Sequence, residues 1–280
     1  MTSIAEKFTP PLSRVMGRSS CETTQYLYGD MDGDGNVSQG EVLRLLYYET
    51  MGPYWGSKFQ SWCDLKVNEC DLHGVSCVQG KVTKIDLSEA NLCSDGEGME
   101  STASTCVGLP AELKYLSDSL QVLSLPSRRF LRGTLPSELG ALTKLQLLDL
   151  QGCESLHGTI PSELGNLANL TYMDISGCNL RGTIPTELFR LWKLEKLYLG
   201  SNPFTGSLPN EVGNLESVKE MRITGAHLQG TLPASLGDLR ELLNLQLYGN
   251  SFTGTIPGEL GKCSSLQKIG EPCVMELILA

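Results

Sequence analysis

The sequence has little that would place this protein among enzymes, nucleic-acid-binding proteins or membrane-spanning chains. Its three histidines, His73, His157 and His227, are far apart in sequence and match no motif of a metal or nucleophilic active site. Lysine and arginine (22) are outnumbered by aspartate and glutamate (32), and the net charge of −10 excludes the basic face that nucleic-acid binding needs. No apolar run reaches the length of about 18 residues typical of a transmembrane helix. We therefore expect a non-catalytic protein with no nucleic-acid partner and no transmembrane segment in this chain.

Signals for the cellular location point in two directions. The first 20 residues are polar and interrupted by proline, so they lack the apolar core of a signal peptide and predict a flexible tail over residues 1–20. A cytoplasmic location therefore stays open. Ten cysteines, several in local pairs, are instead typical of an oxidising compartment. Asn169-Leu-Thr171 adds a potential glycosylation sequon, and on balance we expect an extracellular or membrane-associated protein.

The most informative feature of the sequence is an internal repeat. The segment LEKLYLGSNPFTGSLPNEVGNLES begins at Leu194, and a variant of it begins again at Val218. Six prolines mark the period, with spacings of 25, 24, 24, 24 and 24 residues. A period of roughly 20–29 residues with leucines at L-x-x-L-x-L predicts a leucine-rich-repeat solenoid. The prolines are Pro136, Pro161, Pro185, Pro209, Pro233 and Pro257.

The pattern LxxLxLxxNxLxGxIPxxLGxLxx resembles the plant-type leucine-rich repeat of receptor-like kinase ectodomains and polygalacturonase-inhibiting proteins. The resemblance covers residues 81–270 and implies an α/β solenoid, a right-handed leucine-rich-repeat superhelix with a concave parallel β-sheet. A polar insertion at residues 93–106 interrupts the first repeat. The pattern ends after Leu266, so residues 271–280 are predicted to be a C-terminal tail or a truncated cap.

An acidic loop precedes the repeats and fits the EF-hand pattern D-x-[DN]-x-[DN]-G-x5-E at every position. Calcium takes about 6–8 oxygen ligands, which such a loop supplies at regular positions. The sequence therefore predicts Ca²⁺ as a cofactor and a single EF-hand over residues 21–50, with Val42, Leu45 and Leu46 on the apolar face of its exit helix. A dockerin-like loop and a solvated acidic loop without metal are the alternatives. The predicted ligands are Asp30, Asp32, Asp34, Asn36, Ser38 and Glu41.

Residues 51–80 resemble the N-terminal cap of plant-type repeat arrays, which covers the apolar face of the first repeat. The usual signature is CxWxGVxC, and Leu72 stands here in the tryptophan position. The resemblance implies a Cys70–Cys77 disulfide. A zinc site is the alternative, but no CxxC pair supports it.

The other cysteines are interpreted by their positions in the repeat pattern. Two of them flank the polar insertion, which predicts a Cys93–Cys106 disulfide. Cys153 and Cys178 occupy a repeat slot that usually holds asparagine, and we expect both to be buried structural thiols. The remaining four are Cys263 and Cys273, which are expected to pair in a C-terminal cap, and Cys21 and Cys63, which have no evident partner.

Residues that alternate with the buried leucines are expected to line the concave face in columns that cross the strands. With strands about 4.8 Å apart, six of them span roughly 25 Å, enough for an extended peptide or the edge of a protein. Tyrosine and arginine anchor many interfaces. The alternative is a merely solvated face, with the partner bound on a flank. The predicted partner-binding residues are Tyr172, Tyr198, Arg222 and Tyr248, with Asp149 and Asp174 as an acidic patch.

Taken together, these features predict a calcium-binding leucine-rich-repeat protein that acts as a receptor-like, non-catalytic recognition module for a protein or peptide. Two other functions stay open. The chain could inhibit a secreted polysaccharide hydrolase, as the resemblance to polygalacturonase-inhibiting proteins implies. It could also be a calcium sensor that uses the repeats as its effector arm.

Overall fold

The computed structural model describes residues 37–50, 57–63, 67–90, 108–126 and 131–269. Its strands, in chain order, are β1 (Val75–Val78), β2 (Lys81–Asp86), β3 (Val122–Ser124), β4 (Leu147–Asp149), β5 (Tyr172–Asp174), β6 (Lys196–Tyr198), β7 (Glu220–Arg222), β8 (Gln229–Thr231), β9 (Asn244–Gln246), β10 (Ser251–Thr253) and β11 (Lys268–Ile269).

One long sheet runs through the array in the order β1-β2-β3-β4-β5-β6-β7-β9-β11. The first two strands pair antiparallel as a hairpin, and every later pair is parallel, with each repeat adding one strand next to its predecessor. Strands β8 and β10 form a second, parallel two-stranded sheet. This succession of parallel strands confirms the predicted solenoid. Within the described ranges, none of the helices combines the length and apolar character needed to span a bilayer.

Each repeat strand is short because only its central residue needs to enter the core. In β6, Leu197 is fully buried, while its neighbours Lys196 and Tyr198 are only partly buried and point away from the core. The flanking Leu194 and Leu199 are also fully buried. The inward positions of the L-x-x-L-x-L pattern are therefore those predicted from sequence, and side chains alternate between core and concave face with the strand period of two.

A 3-10 helix follows the proline of each repeat on the opposite side of the core. Pro136 has the extended φ of −69° and ψ of 137° that precede such a helix, and the next turn closes when the Leu142 N–H donates to the carbonyl of Leu139. A Cβ at Gly140 would collide with the carbonyl oxygen of Glu163, so glycine allows the repeats to stack closely. The helices are Ala111–Leu116, Ser137–Ala141, Ser162–Asn166, Thr186–Arg190, Asn210–Asn214, Ala234–Asp238 and Gly258–Lys262.

Asparagine holds the turn that leaves the strand in the repeat of β6. Asn202 is 1% exposed, and its Oδ1 accepts from the N–H groups of Cys178 and Leu180 in the preceding repeat, at 3.0 and 2.9 Å. Its Nδ2 donates to the carbonyls of Ile175 and Leu199, at 2.8 and 3.0 Å. One side chain thus satisfies buried backbone groups of two repeats, which would otherwise cost stability.

The same arrangement recurs in the repeat of β9, but closer to solvent. Asn250 is only partly buried, and its Oδ1 accepts from the N–H groups of Ala226 and Leu228, at 3.1 Å each. Its Nδ2 donates to the carbonyls of Ile223 and Leu247.

Cysteine fills this slot in the repeats of β4 and β5. Cys153 and Cys178 are fully buried free thiols, as predicted. Each donates its S–H to a carbonyl of the preceding repeat: Cys153 to Leu125 at 3.3 Å and Cys178 to Leu150 at 3.0 Å. Thiols are weak donors and weak acceptors, so these turns have less side-chain support than those with asparagine.

The N-terminal cap is built on helix α1 (Gln39–Glu49). Its buried apolar side chains are those of Val42, Leu43, Leu46 and Tyr47, each at most 2% exposed. The predicted face was therefore wrong in one position: Leu45 is only partly buried, because the buried stripe follows spacings of one and four residues and places Leu43 on the core side. The apolar residues of α1 belong to the same continuous core as the leucines of the repeats.

Aromatic packing fixes α1 to the rest of the cap, which contains the 3-10 helices Ser57–Cys63 and Glu69–Asp71. The rings of Tyr47 and Trp62 stack with centroids 6.3 Å apart. The indole N–H of Trp62 donates to the carbonyl of His73 at 2.9 Å.

Gln39 joins the start of α1 to the first hairpin. Its Oε1 accepts from the Val82 N–H at 2.7 Å, and its Nε2 donates to the Gly80 carbonyl at 3.4 Å. Two backbone groups more than forty residues away are thereby tied to the first turn of the helix.

A disulfide links Cys70 to Cys77, as the resemblance implied, and so ties the second 3-10 helix of the cap to β1. The predicted pairing of Cys263 was wrong. Cys263 is a buried free thiol that donates to the carbonyl of Leu236 at 3.2 Å, because it occupies the core position held by leucine in other repeats. The other cysteine predictions concern Cys93, Cys106, Cys273, Cys21 and the side chain of Cys63, all outside the described residues.

Candidate functional site: the concave face

The register of the sheet places the predicted columns in straight rows. One row contains Lys84, Val122, Leu147, Tyr172, Lys196, Glu220, Asn244 and Lys268. The parallel row contains Asp86, Ser124, Asp149, Asp174, Tyr198, Arg222 and Gln246. Side chains on neighbouring strands therefore stand directly beside each other, which is the arrangement that allows cross-strand contacts.

Three of the predicted residues form an aromatic and cationic stack across β5, β6 and β7. The rings of Tyr172 and Tyr198 meet edge to face, with centroids 5.7 Å apart and planes at 85°. The guanidinium carbon of Arg222 lies 4.8 Å from the centroid of the Tyr198 ring, within cation–π distance. Both tyrosines are partly buried and Arg222 is exposed, so the stack presents its edge to solvent.

Glu220 holds this stack in place. Its Oε2 accepts from the Tyr198 hydroxyl at 2.8 Å and pairs with Arg222 Nη2 at 3.0 Å, while its Oε1 pairs with Lys196 Nζ at 3.3 Å. The Tyr198 hydrogen bond, followed by the cations, lowers the pKa of Glu220. Burial and the bond to Glu220 raise the pKa of Tyr198 to about 12, so the phenol stays protonated at neutral pH.

The two predicted aspartates lie on the next strands toward the N-terminus. Asp174 is 4% exposed, and its Oδ1 accepts from the N–H and the hydroxyl of Ser176 at 2.9 and 2.6 Å. Asp149 is half-buried, and its Oδ1 accepts from the Gln151 N–H at 3.1 Å. No lysine or arginine of the described ranges forms an ion pair with either carboxylate. Burial and then the charge of Asp174 raise the pKa of Asp149.

Tyr172 connects the aspartates to the aromatic stack. Its hydroxyl stands 3.5 Å from Asp174 Oδ2, at the limit of a hydrogen bond. Burial, together with the charges of Asp174 and Asp149, raises the pKa of Tyr172. Five of the six predicted residues therefore form one connected group.

Tyr248 lies apart from this group. It follows β9 by two residues and is 41% exposed. Sequence reasoning also left out Glu220 and Lys196, although both occupy the first row. The missing signal was charge complementarity: Glu220 follows Lys196 in this row and lies two residues before Arg222, and it pairs with both.

The structure describes two of the six predicted calcium ligands, Ser38 and Glu41. Asp30, Asp32, Asp34 and Asn36 lie outside the described residues. Ser38 and Glu41 form a capping box at the start of α1: the Ser38 hydroxyl accepts from the Glu41 N–H at 3.2 Å, and Glu41 Oε2 accepts from the Ser38 N–H at 2.6 Å.

This capping box is compatible with the predicted metal site. The Glu41 side chain is 6% exposed and turns back toward the Ser38 N–H at the start of α1. Val37 packs against the apolar core, so the end of the loop is held in place. The Ser38 hydroxyl and the Glu41 carboxylate are oxygen donors, the kind of ligand that calcium takes.

Comparison with known proteins agrees with the geometry of the array. Four segments, 144–167, 169–191, 193–215 and 241–263, match the Leucine Rich Repeat family model. The fold is a leucine-rich-repeat solenoid. Among curated proteins, none matches this sequence.

Solved structures with the same fold include a plant receptor ectodomain and a second structure, PEPR1–AtPEP1. The LRR ectodomain of the plant membrane receptor kinase GASSHO1/SCHENGEN3 from Arabidopsis thaliana, in complex with CASPARIAN STRIP INTEGRITY FACTOR 2, is 30% identical, with a TM-score of 0.61 over 81% of this chain and 29% of that one. The PEPR1–AtPEP1 structure is 27% identical, with a TM-score of 0.67 over 82% and 31%. The present chain thus spans less than a third of each of these two chains.

A plant ice-binding protein is more nearly equal in length. It is 21% identical, with a TM-score of 0.62 over 82% of this chain and 84% of its own. At this identity the likeness concerns the fold alone, so function has to be argued from the concave face.

Proposed function

We propose that this protein is a non-catalytic recognition module that binds a protein or peptide on its concave face. The observation that carries the proposal is the stack of Tyr172, Tyr198 and Arg222 across three neighbouring strands. These residue types dominate binding energy at protein interfaces. Their contacts with Glu220 and with each other hold them in fixed positions, so little side-chain entropy remains to be lost on binding.

The two similar structures support the proposal. The plant receptor ectodomain was solved in complex with CASPARIAN STRIP INTEGRITY FACTOR 2, and the other structure is PEPR1–AtPEP1. Because this chain covers only part of their length, a receptor-like role for the whole protein is part of the proposal. We also infer an extracellular or membrane-associated location. The Cys70–Cys77 disulfide supports it, since such bonds persist in oxidising compartments.

The test is selection of ligands from a displayed random-peptide library on the immobilised full chain. We expect the selected peptides to bind the wild type and to lose at least tenfold in affinity with a Tyr172→Ala, Tyr198→Ala, Arg222→Ala triple variant. Tyr115→Ala is the matched control, because Tyr115 is 50% exposed but lies in a 3-10 helix away from the sheet. Equal binding to the triple variant and the wild type would contradict the proposal, as would failure of the wild type to retain any peptide.

We further propose that the loop before α1 binds calcium, through Asp30, Asp32, Asp34, Asn36, Ser38 and Glu41. The specific observation in its favour is the buried Glu41 carboxylate, which turns back toward Ser38, the neighbouring predicted ligand. When bound, the ion would tie the loop to the first turn of α1 by electrostatic attraction to these oxygens.

Calorimetric titration can separate calcium binding from helix capping. Glu41→Gln removes one charge, but glutamine still completes a capping box, so this variant is expected to keep its melting temperature in chelator while losing heat of calcium binding. Asp32→Asn is a second variant that leaves the capping box untouched. Equal calcium heats for the wild type and both variants would reject the site. A partner affinity that changes with calcium would favour the sensor function, and inhibition of an added polysaccharide hydrolase would favour the inhibitor.

A further inference from the structure

The concave face is electrically polarised along the array. Toward the N-terminal strands, Lys84 and Asp86 neutralise each other at 3.0 Å, which leaves Asp149 and Asp174 without a described counter-ion. Toward the C-terminal strands the balance reverses, because Lys196, Arg222 and Lys268 face the single carboxylate of Glu220 in the two rows. A negative region on β4 and β5 thus gives way to a positive region from β6 onward.

Burial strengthens the negative region. Asp149 is half-buried and reachable, and Asp174 lies beside it in register on the next strand, almost fully covered. A covered carboxylate is poorly screened by water and salt, so its field acts on whatever approaches its exposed neighbour. The mutual repulsion of the two carboxylates is one reason why the pKa of Asp149 is raised, and a cation bound there would relieve it.

Aromatic rings fill the boundary between the two regions. Tyr172 lies in the row beside that of Asp149 and Asp174, and its ring is partly exposed. A cationic side chain that reaches Asp149 therefore passes close to an aromatic residue, and aromatic rings attract cations. On the other side, Arg222 covers the Tyr198 ring and keeps guanidinium N–H groups exposed.

We propose that the occupant of the concave face is an extended peptide with two charged residues of opposite sign: a basic residue over Asp149 and Asp174, and an acidic residue over Arg222, with Lys196 on the strand before it. This inference rests on the proposed recognition function and names the class of partner. From the middle of β4 and β5 to β7 is about two and a half strand spacings, or roughly 12 Å. An extended chain covers that distance in about four residues. The expected ligand therefore has its basic and acidic residues about four positions apart.

Charge complementarity is the reason for choosing this occupant over a uniformly charged one. A wholly basic peptide would meet repulsion at Lys196 and Arg222, and a wholly acidic one would meet it at Asp149. Repulsion between like charges on the face and on a peptide disfavours such peptides. The polarised face therefore selects both the charged residues of the bound peptide and the direction in which it runs.

The experiment is the same library selection, read out by sequencing the bound peptides at low and at high salt. Wild-type selections are expected to enrich peptides with a basic and an acidic residue about four positions apart, and raised salt is expected to weaken this enrichment. With Asp149→Asn/Asp174→Asn we expect the basic preference to fall at least fivefold while the acidic preference remains. With Arg222→Gln we expect the converse. Asp118→Asn is the matched control, because this aspartate is exposed and lies outside the sheet strands.

The outcomes separate this inference from the proposed function. Peptides that need Tyr172 and Tyr198 but show no charge preference would overturn the inference and leave the recognition function intact. Absence of any peptide dependent on the two tyrosines would overturn both. A melting temperature that rises with CaCl₂ in an Asp30→Asn background, and no longer does so with Asp149→Asn/Asp174→Asn, would assign the carboxylates to a divalent cation and overturn the peptide proposal.

Discussion

Two parts of the array use different side chains to hydrogen-bond the buried backbone of the turn that follows each strand. The cysteine repeats, those of β4 and β5, carry Cys153 and Cys178 in the inner turn slot, whereas the asparagine repeats, those of β6 and β9, carry Asn202 and Asn250 there. Both cysteine repeats present an aspartate to the concave face, but an aromatic ring occurs in either kind of repeat, as Tyr172 on β5 and Tyr198 on β6. The difference teaches that turn support and surface chemistry vary independently, because they lie on opposite sides of a strand.

The largest expected effect is loss of the buried asparagine. Asn202→Ala should destabilise the protein by about 3–5 kcal/mol, since each buried backbone group left unpaired costs about 1–3 kcal/mol and several are affected. Urea unfolding followed by circular dichroism measures this. Asn166→Ala, at an exposed position in a 3-10 helix, is the control and should stay within about 0.5 kcal/mol of the wild type. If Asn202→Ala lowered the free energy of unfolding by less than 1 kcal/mol, the proposed difference between the asparagine and cysteine repeats would be contradicted.

A smaller loss is expected at the second asparagine. Asn250→Ala removes the same kinds of hydrogen bond, but its position is partly exposed, so water can replace some of them. We expect about 1–3 kcal/mol in the same unfolding measurement. A cost equal to that at Asn202 would show that burial is not what distinguishes the two turns.

The cysteine slot should tolerate truncation better. Cys178→Ala removes one weak S–H donor and a small volume, so we expect about 1 kcal/mol. The measurement is the same urea series, with Cys153→Ala as the companion variant. If Cys178→Ala were as costly as Asn202→Ala, cysteine would be an equal substitute and the distinction between the repeats would fail.

The smallest effect concerns the face of the cysteine repeats. Because the pKa of Asp149 is raised in the folded state, its favourable contribution is present at low pH and is lost as pH rises through that pKa. Asp149→Asn should therefore raise stability at pH 7, within about 0.5 kcal/mol, and give no gain at pH 3. Thermal melts at both pH values check this. A gain in stability at pH 3 but not at pH 7 would contradict the expected direction of the pH dependence.

The sequence predicts the backbone well because the repeat dictates it. The period and the leucine spacing suffice to place Tyr172, Tyr198 and Arg222 in two neighbouring rows on the same face, because the register follows from repeats of equal length. The resemblance of the cap also led to the correct Cys70–Cys77 bond. These features depend on local patterns that recur along the chain.

What the sequence does not reveal depends on contacts between specific side chains. Glu220 binds Tyr198, Arg222 and Lys196 at once, but periodicity treats it as one more outward residue. The orientation of α1 was missed at Leu43 because helical spacing allows adjacent stripes, and packing against the cap selects one. Cys263 similarly follows the leucine position of its repeat instead of the cysteine spacing that suggested a bond.

The link made by Gln39 has a mechanical consequence. Each repeat of a solenoid contacts only its neighbouring repeats, so an array tends to unfold from its ends, one repeat at a time. Since the Gln39 amide binds Gly80 in the turn of the first hairpin and Val82 in β2, this hairpin can separate from the array only if its bonds to the start of α1 break. Helix α1 thus opposes unfolding of the array from its N-terminal end. If the loop before α1 binds calcium as proposed, the bound ion would add to the stability of that end.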